Sequence, residues 1–290
     1  MPVSRVFAAL RCALVGIFGV SAGIATADPL STPLGSYYQN LEARLVGEGR
    51  LRQDRASHAT GADGLAASFM AIAMRSEYRL SGSGMIRSGS TAPLRRWEQP
   101  VRISVRFGPS VPAPQQASDR GIVADVAGRL HRATGHSIST VGSNANFHIL
   151  VLSDEERAGI APLLRQLVPG ISNAAVGAVR RMSRNTFCMV IAMPGADPAQ
   201  GYLQAVAIVR AEHPPRMRRS CIEEEMAQGM GLANDSPDAW PSIFNDDEEF
   251  GVLTRHDELL LRLLYDRRLQ AGMAARDVAA MLPALCAQLL

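Results

Sequence analysis

Between residues 101 and 209 the apolar residues change their spacing several times, and this succession restricts the fold more than any other feature of the chain. Val101, Ile103, Val105 and Phe107 alternate with Arg102, Ser104 and Arg106, the period-two pattern of a strand with one buried face. Ser118 is placed to cap a helix in which Ile122, Val126 and Leu130 recur every fourth residue, with Gly135 at its end. Residues 147–152 form a short apolar run that reads as a second strand. Phe187, Met189 and Ile191 alternate in a third, stopped by Met193-Pro194-Gly195, and residues 205–209 make a fourth. Strand, helix, several strands and then helices call for a sheet covered by helices on one or both faces, α+β or α/β.

The segment before this block reads as helical over residues 36–80. Tyr38, Leu41, Leu45 and Leu51 fall at near-helical spacing, and Leu65, Phe69, Ile72 and Met74 make a second stripe. Ser81-Gly82-Ser83-Gly84 and Ser88-Gly89-Ser90 then read as a loop or linker. At the start, Arg5 and Arg11 precede about 12 largely apolar residues ending in Ala25-Thr26-Ala27. That is the layout of a secretory signal peptide, cleaved before Asp28, because a spanning helix needs ~20 apolar residues. A periplasmic or secreted protein is expected, with no membrane span after signal removal.

Export bears on the cysteines. Cys188, Cys221 and Cys286 remain after cleavage, so three single bridges are open to them, as is a fully reduced set. Cys188–Cys221 is favoured: both flank core elements, while Cys286 sits in an apolar C-terminal helix. The formal charge of +3 on 290 residues is too mild and evenly spread to argue for nucleic acid. All the basic residues counted are arginines. Without lysine the chain cannot form Schiff bases, use a P-loop lysine or run Ser-Lys hydrolysis.

The segment with the densest chemistry follows the fourth strand. Ser220 and Glu223 have capping-box spacing for a helix start, and Gly231 is placed to end that helix. Ile222, Met226 and Met230 fall on one arc, while Cys221, Glu224, Glu225 and Gln228 fall on another. His213, in the loop before the helix, is close enough in sequence to reach a cleft there. Arg216, Arg218 and Arg219 read as surface ion-pair partners of Glu223–Glu225, or as a basic rim. Asp246-Asp247-Glu248-Glu249 lacks the spacing of a calcium loop and reads as solvated. His256-Asp257 after Thr254 should cap and support a closing helix, and His131 and His136 suit the end of the earlier one.

The run Glu224-Glu225-x-x-Gln228-x-x-Gly231-x-x-Asn234 resembles the metzincin zinc-protease motif, H-E-x-x-H-x-x-G-x-x-H, with every histidine replaced. Pro241-Ser242-Ile243-Phe244 looks like the Met-turn region without its methionine, and residues 253–266 are similar to the closing helix of matrixin-type domains. From about residue 37 to 283 the chain resembles the domain-of-unknown-function 2927 family, secreted proteobacterial proteins grouped with the metzincin-like peptidases. Residues 94–101, Thr134-Gly135-His136, residues 224–228 and Asn234-Asp235-Ser236 carry that resemblance, in order.

The resemblance implies an α+β fold, a metzincin-like mixed sheet with helices, over residues 94–270. A signal peptide (1–27), a helical section with linker (28–93) and a C-terminal helix (271–290) complete the expected organisation. It also implies that Glu224, Gln228 and Asn234 stand where zinc ligands would be, and Glu225 where the general base would be. One carboxylate and two amide oxygens are poor zinc donors, so neither a metal nor a cofactor is expected. The expectation is a non-catalytic cleft, lined by Glu224, Gln228, Asn234 and His213, that binds a polypeptide or another cell-envelope component. The alternative is an unconventional hydrolase using Glu225 with Glu224 as paired carboxylates.

Overall fold

The structure is a computed structural model that describes residues 28–55, 60–81 and 84–290. The expected signal peptide lies outside those residues. The first helices are α1 (Pro33–Gly47), capped by the Thr32 hydroxyl accepting from the Gly35 N–H at 3.0 Å, and α2 (Ala62–Ile72). The stretch expected to be a linker is instead an antiparallel hairpin, β1 (Arg75–Ser81) with β2 (Gly84–Thr91). Its serines and glycines suggested a loop, but cross-strand pairing from Arg75↔Thr91 to Ser81↔Gly84, with one register shift after Ser76, outweighs their poor strand propensity.

The main sheet is built from β3 (Val101–Phe107), β4 (Ile138–Thr140), β5 (Phe147–Leu152), β6 (Cys188–Pro194) and β7 (Tyr202–Arg210). Its order is β4-β3-β5-β7-β6. β3 pairs in parallel with β4 and β5, β5 in parallel with β7, and β6 alone runs antiparallel, on the edge beside β7. The protein is therefore of the α+β class with a mixed sheet.

Alternation decides which side chain goes to which face. Phe147, Ile149 and Val151 of β5, with Ala205, Ala207 and Val209 of β7, enter the larger core. Leu150, Leu152, Val206 and Ile208 point the other way, into a second core. The larger core is closed by α2, α3 (Ala113–Thr134), α7 (Pro215–Gln228), α8 (Arg255–Leu264) and α9 (Ala275–Leu289). The second is closed by residues of α5 (Ala161–Leu167) and α6 (Asn173–Arg180), entered through the short α4 (Asp154–Ala158). A buried run of six residues in β5 is what a strand covered on both faces requires.

Two helix starts differ from their sequence reading. α3 begins five residues before Ser118, with Pro112 at the N-cap and Pro114 in the first turn. α7 begins at Pro215, so Ser220 and Glu223 lie inside it. In both cases proline just inside the start sets the boundary, since its missing N–H costs nothing there. Two other expected helix boundaries fare better. Gly135 adopts φ +67° after α3, and Thr254 and Asp257 form the capping box of α8. Cys188 and Cys221 are disulfide-bonded, with Cα atoms 5.7 Å apart, and Cys286 is a buried free thiol.

Candidate functional site

Helix α7 positions the site, and it is anchored from every side. Ile222 and Met226 are fully buried in the larger core. Glu223, expected near the surface, is fully buried between Arg129 of α3 (2.7 Å) and Arg219 (2.9 Å), and also accepts the Leu253 N–H at 2.9 Å. Arg218, likewise expected at the surface, is buried against Asp119 of α3 at 2.7 Å. Cys221 ties the helix to the first residue of β6. At the far end Trp97 Nε1 donates to the Gly229 carbonyl at 2.8 Å, and the Tyr265 hydroxyl donates to the Met230 carbonyl at 3.0 Å. Gly231 then turns the chain at φ +125°, where a Cβ would stand 2.1 Å from the Arg95 carbonyl oxygen. Only glycine satisfies both the angle and the approach.

So held, α7 presents Glu224, Glu225 and Gln228 to a cavity of about 560 Å³ between the helix and the first half of β6. Asp235, Asp246, Glu248 and Glu77 line the same cavity. Gln228 Nε2 donates to Asp235 Oδ1 at 2.9 Å. Glu225 is only 4% exposed, and its Oε2 has no hydrogen-bond partner among the described residues. Burial, and then the neighbouring carboxylates, push Glu224, Glu225 and Asp235 well above the ordinary carboxylate range. For the same reasons Glu248 is pushed up to about 7, with Arg50 opposing. A second cavity, about 640 Å³, shares Glu77, Asp235 and Asp246 and continues towards Met70 and Met74 of the α2 end.

The cavity wall opposite the helix is continued by the loop before α8. Asp257, fully buried, accepts from the Ser242 hydroxyl (2.5 Å), the Ile243 N–H (3.1 Å) and the Thr254 N–H (2.8 Å). These bonds hold Ile243 against the cavity, although burial still raises the Asp257 carboxyl to about 6.

Glu224, Glu225 and Gln228 are thus brought together as the helical spacing predicts. Asn234 is not in that cavity: it lines the neighbouring one, and its amide donates to the Ala71 carbonyl (2.9 Å) and the Asp235 carbonyl (2.6 Å). His213 is fully buried away from the cleft, edge-on to Tyr38 at 4.4 Å and 3.7 Å from Cys221 Sγ. Burial, with Arg210 and Arg218 nearby, keeps its imidazole well below the ordinary range. The acidic run expected to be fully solvated splits: Asp246 and Asp247 are exposed, while Glu248 is half-buried at the cavity. Nothing local marks Glu77 as a site residue, and nothing local separates Glu248 from the rest of its acidic run, because only long-range packing brings them to the cavity beside α7. Among the described residues, no three His, Cys, Asp or Glu side chains are grouped closely enough to hold a metal ion.

Fold and site together define an α+β protein with an acidic cleft beside an antiparallel edge strand. Residues 62–284 match the family described as protein of unknown function (DUF2927), and the chain belongs to that family. No curated protein and no solved structure matches it.

Proposed function

We propose that this is an exported, non-catalytic binding protein whose cleft takes up an extended segment of a cell-envelope polypeptide. The observation that carries the reading is the position of β6. It ends the sheet, its outer side pairs with no strand among the described residues, and its first residues line the acidic cavity. An exposed edge is a template for an added strand, and pockets beside it select side chains. The disulfide supports an oxidising compartment. No helix among the described residues is long and apolar enough to cross a membrane. The metzincin-like reading is supported by the placement of Glu224, Glu225 and Gln228 on one helix, with Gly231 making the turn to Asn234.

Hydrogen exchange tests the proposal. Heptapeptide pools should slow exchange of the β6 amides and be recovered intact; unchanged β6 exchange refutes strand addition. One observation favours a second reading, hydrolysis by Glu225: a raised carboxyl with an unpartnered oxygen, set in a cleft, is a general-acid candidate. In that case peptides are recovered cleaved, and Glu225→Gln abolishes the cleavage.

A further inference from the structure

The cavity beside α7 combines two chemistries that seldom share one lining. Its acidic part is Glu224, Glu225, Asp235 and Glu248, and its apolar part includes Phe187 and Ile243. No cationic side chain among the described residues lines it. Among the described residues, Glu225 Oε2, cut off from solvent, has no donor, although a buried carboxylate oxygen ordinarily has one. Among the same residues Asp235 has a single side-chain donor, the Gln228 amide, which is neutral. At about 560 Å³ the space is far larger than a bare ion needs, and within the range of pockets that enclose organic ligands.

A long basic side chain has the complementary shape and charge. Its methylene stem covers apolar surface while its head is left free for carboxylates. A guanidinium offers five donors in a planar fork, which suits oxygens spread over several side chains better than a point charge does. We propose that the cavity is a receptor for one arginine or lysine side chain, arginine preferred, carried by the polypeptide bound along β6. This rests on the polypeptide reading above and names what that polypeptide must contain. Glu224 and Asp235 flank the cationic head, and Glu225 faces it from deeper in the same lining.

A proton linkage follows from the charges that face the cavity. They are Glu224 and Glu225 from α7, Asp235 after it, Asp246 and Glu248 from the loop before α8, and Glu77 from β1. Arg50 lies close enough to Glu248 to oppose its rise. Burial and mutual repulsion raise the carboxyls of the empty site, and an entering cation favours their ionised form. Binding should therefore release protons and tighten as pH rises towards about 7, the value to which Glu248 is pushed.

The experiment compares retention by the immobilised protein of two heptapeptide pools, X3-Arg-X3 and X3-citrulline-X3. Citrulline keeps the shape of arginine and removes its charge. Agmatine and calcium chloride are titrated separately by calorimetry in two buffers of different ionisation enthalpy. The expected result is at least tenfold enrichment of the arginine pool, lost in Glu225→Gln and in the half-exposed Glu224→Gln, both checked for folding by circular dichroism. Equal retention of both pools overturns the cation receptor while leaving the polypeptide reading intact. Agmatine binding with neither pool retained supports the receptor and overturns the polypeptide reading. Absence of binding by any probe, or stoichiometric calcium that displaces agmatine, overturns the receptor.

Discussion

Arg129→Met should destabilise the protein substantially, because Arg129 is the hub that fixes the motif helix. Its guanidinium bonds Glu223 at 2.7 Å, the Leu253 carbonyl at 2.9 Å and Glu258 at 2.9 Å, with its side chain 2% exposed and that of Glu223 0%. Removing one partner of a buried pair typically costs about 3–5 kcal/mol, since the other charge is left without compensation. Here Glu223 keeps Arg219 and the Leu253 N–H, which puts the ionic part near the lower bound. The orphaned Leu253 carbonyl adds about 1 kcal/mol. A total of about 3–4 kcal/mol corresponds to a fall in Tm of roughly 6–16 °C for a protein of this size. The double variant Arg129→Met/Glu223→Leu should lose well under the sum of the single losses, with a coupling of about 2–3 kcal/mol. Urea unfolding followed by circular dichroism measures all three. A loss below 1 kcal/mol for Arg129→Met, or strict additivity in the double variant, would refute the reasoning.

Three further outcomes follow from the same geometry. Gly231→Ala puts a Cβ 2.1 Å from the Arg95 carbonyl oxygen at a φ of +125° and should cost about 3–5 kcal/mol, read as a lower urea midpoint. Replacing Cys188 and Cys221 by alanine opens a loop with a sequence separation of 33, worth about 4 kcal/mol by the chain-entropy argument. Thermal melts of the oxidised protein and the double variant compare the two, and equal midpoints contradict that value. Glu224, Glu225, Asp235 and Glu248 hold protons more tightly folded than unfolded. Their contribution is therefore full below the ordinary carboxylate range and is lost as pH rises through the raised folded-state values, about 7 for Glu248. Glu225→Gln should accordingly melt higher than the parent at pH 8, with the gap closing towards pH 5. A gap independent of pH would show that Glu225 is ionised alike in both states.

The residues that could be read correctly in advance are those whose signal is local. The alternation in β3, the apolar run of β5, the α8 capping box and the Gly135 stop each depend on neighbours a few positions away, and each appears where its spacing predicts. The disulfide pairing was also read correctly, although Cys221 lies inside α7 and not at its margin. Errors fell where local propensity met a competing interaction. Serines 118 and 220 had capping spacing, but prolines upstream began both helices earlier. The Ser/Gly stretch around residue 84 became a hairpin through pairing that no single strand reveals.

The amino-acid sequence by itself determined that Glu224, Glu225 and Gln228 share a side of one helix, because 3.6 residues per turn is a property of the backbone alone. Whether that side would be a solvated surface or an acid-lined cavity was decided by the tertiary structure. Glu77 and Glu248 come from distant segments and Asp235 from just beyond the Gly231 turn, and only the packing of the hairpin, that turn and the Asp257-pinned loop brings their charges to one place. Their mutual repulsion is opposed by the burial of α7, Met230, Leu232 and Ile243 in the larger core. Helical geometry acts over a few residues, whereas the assembly of like charges requires a folded scaffold to oppose it.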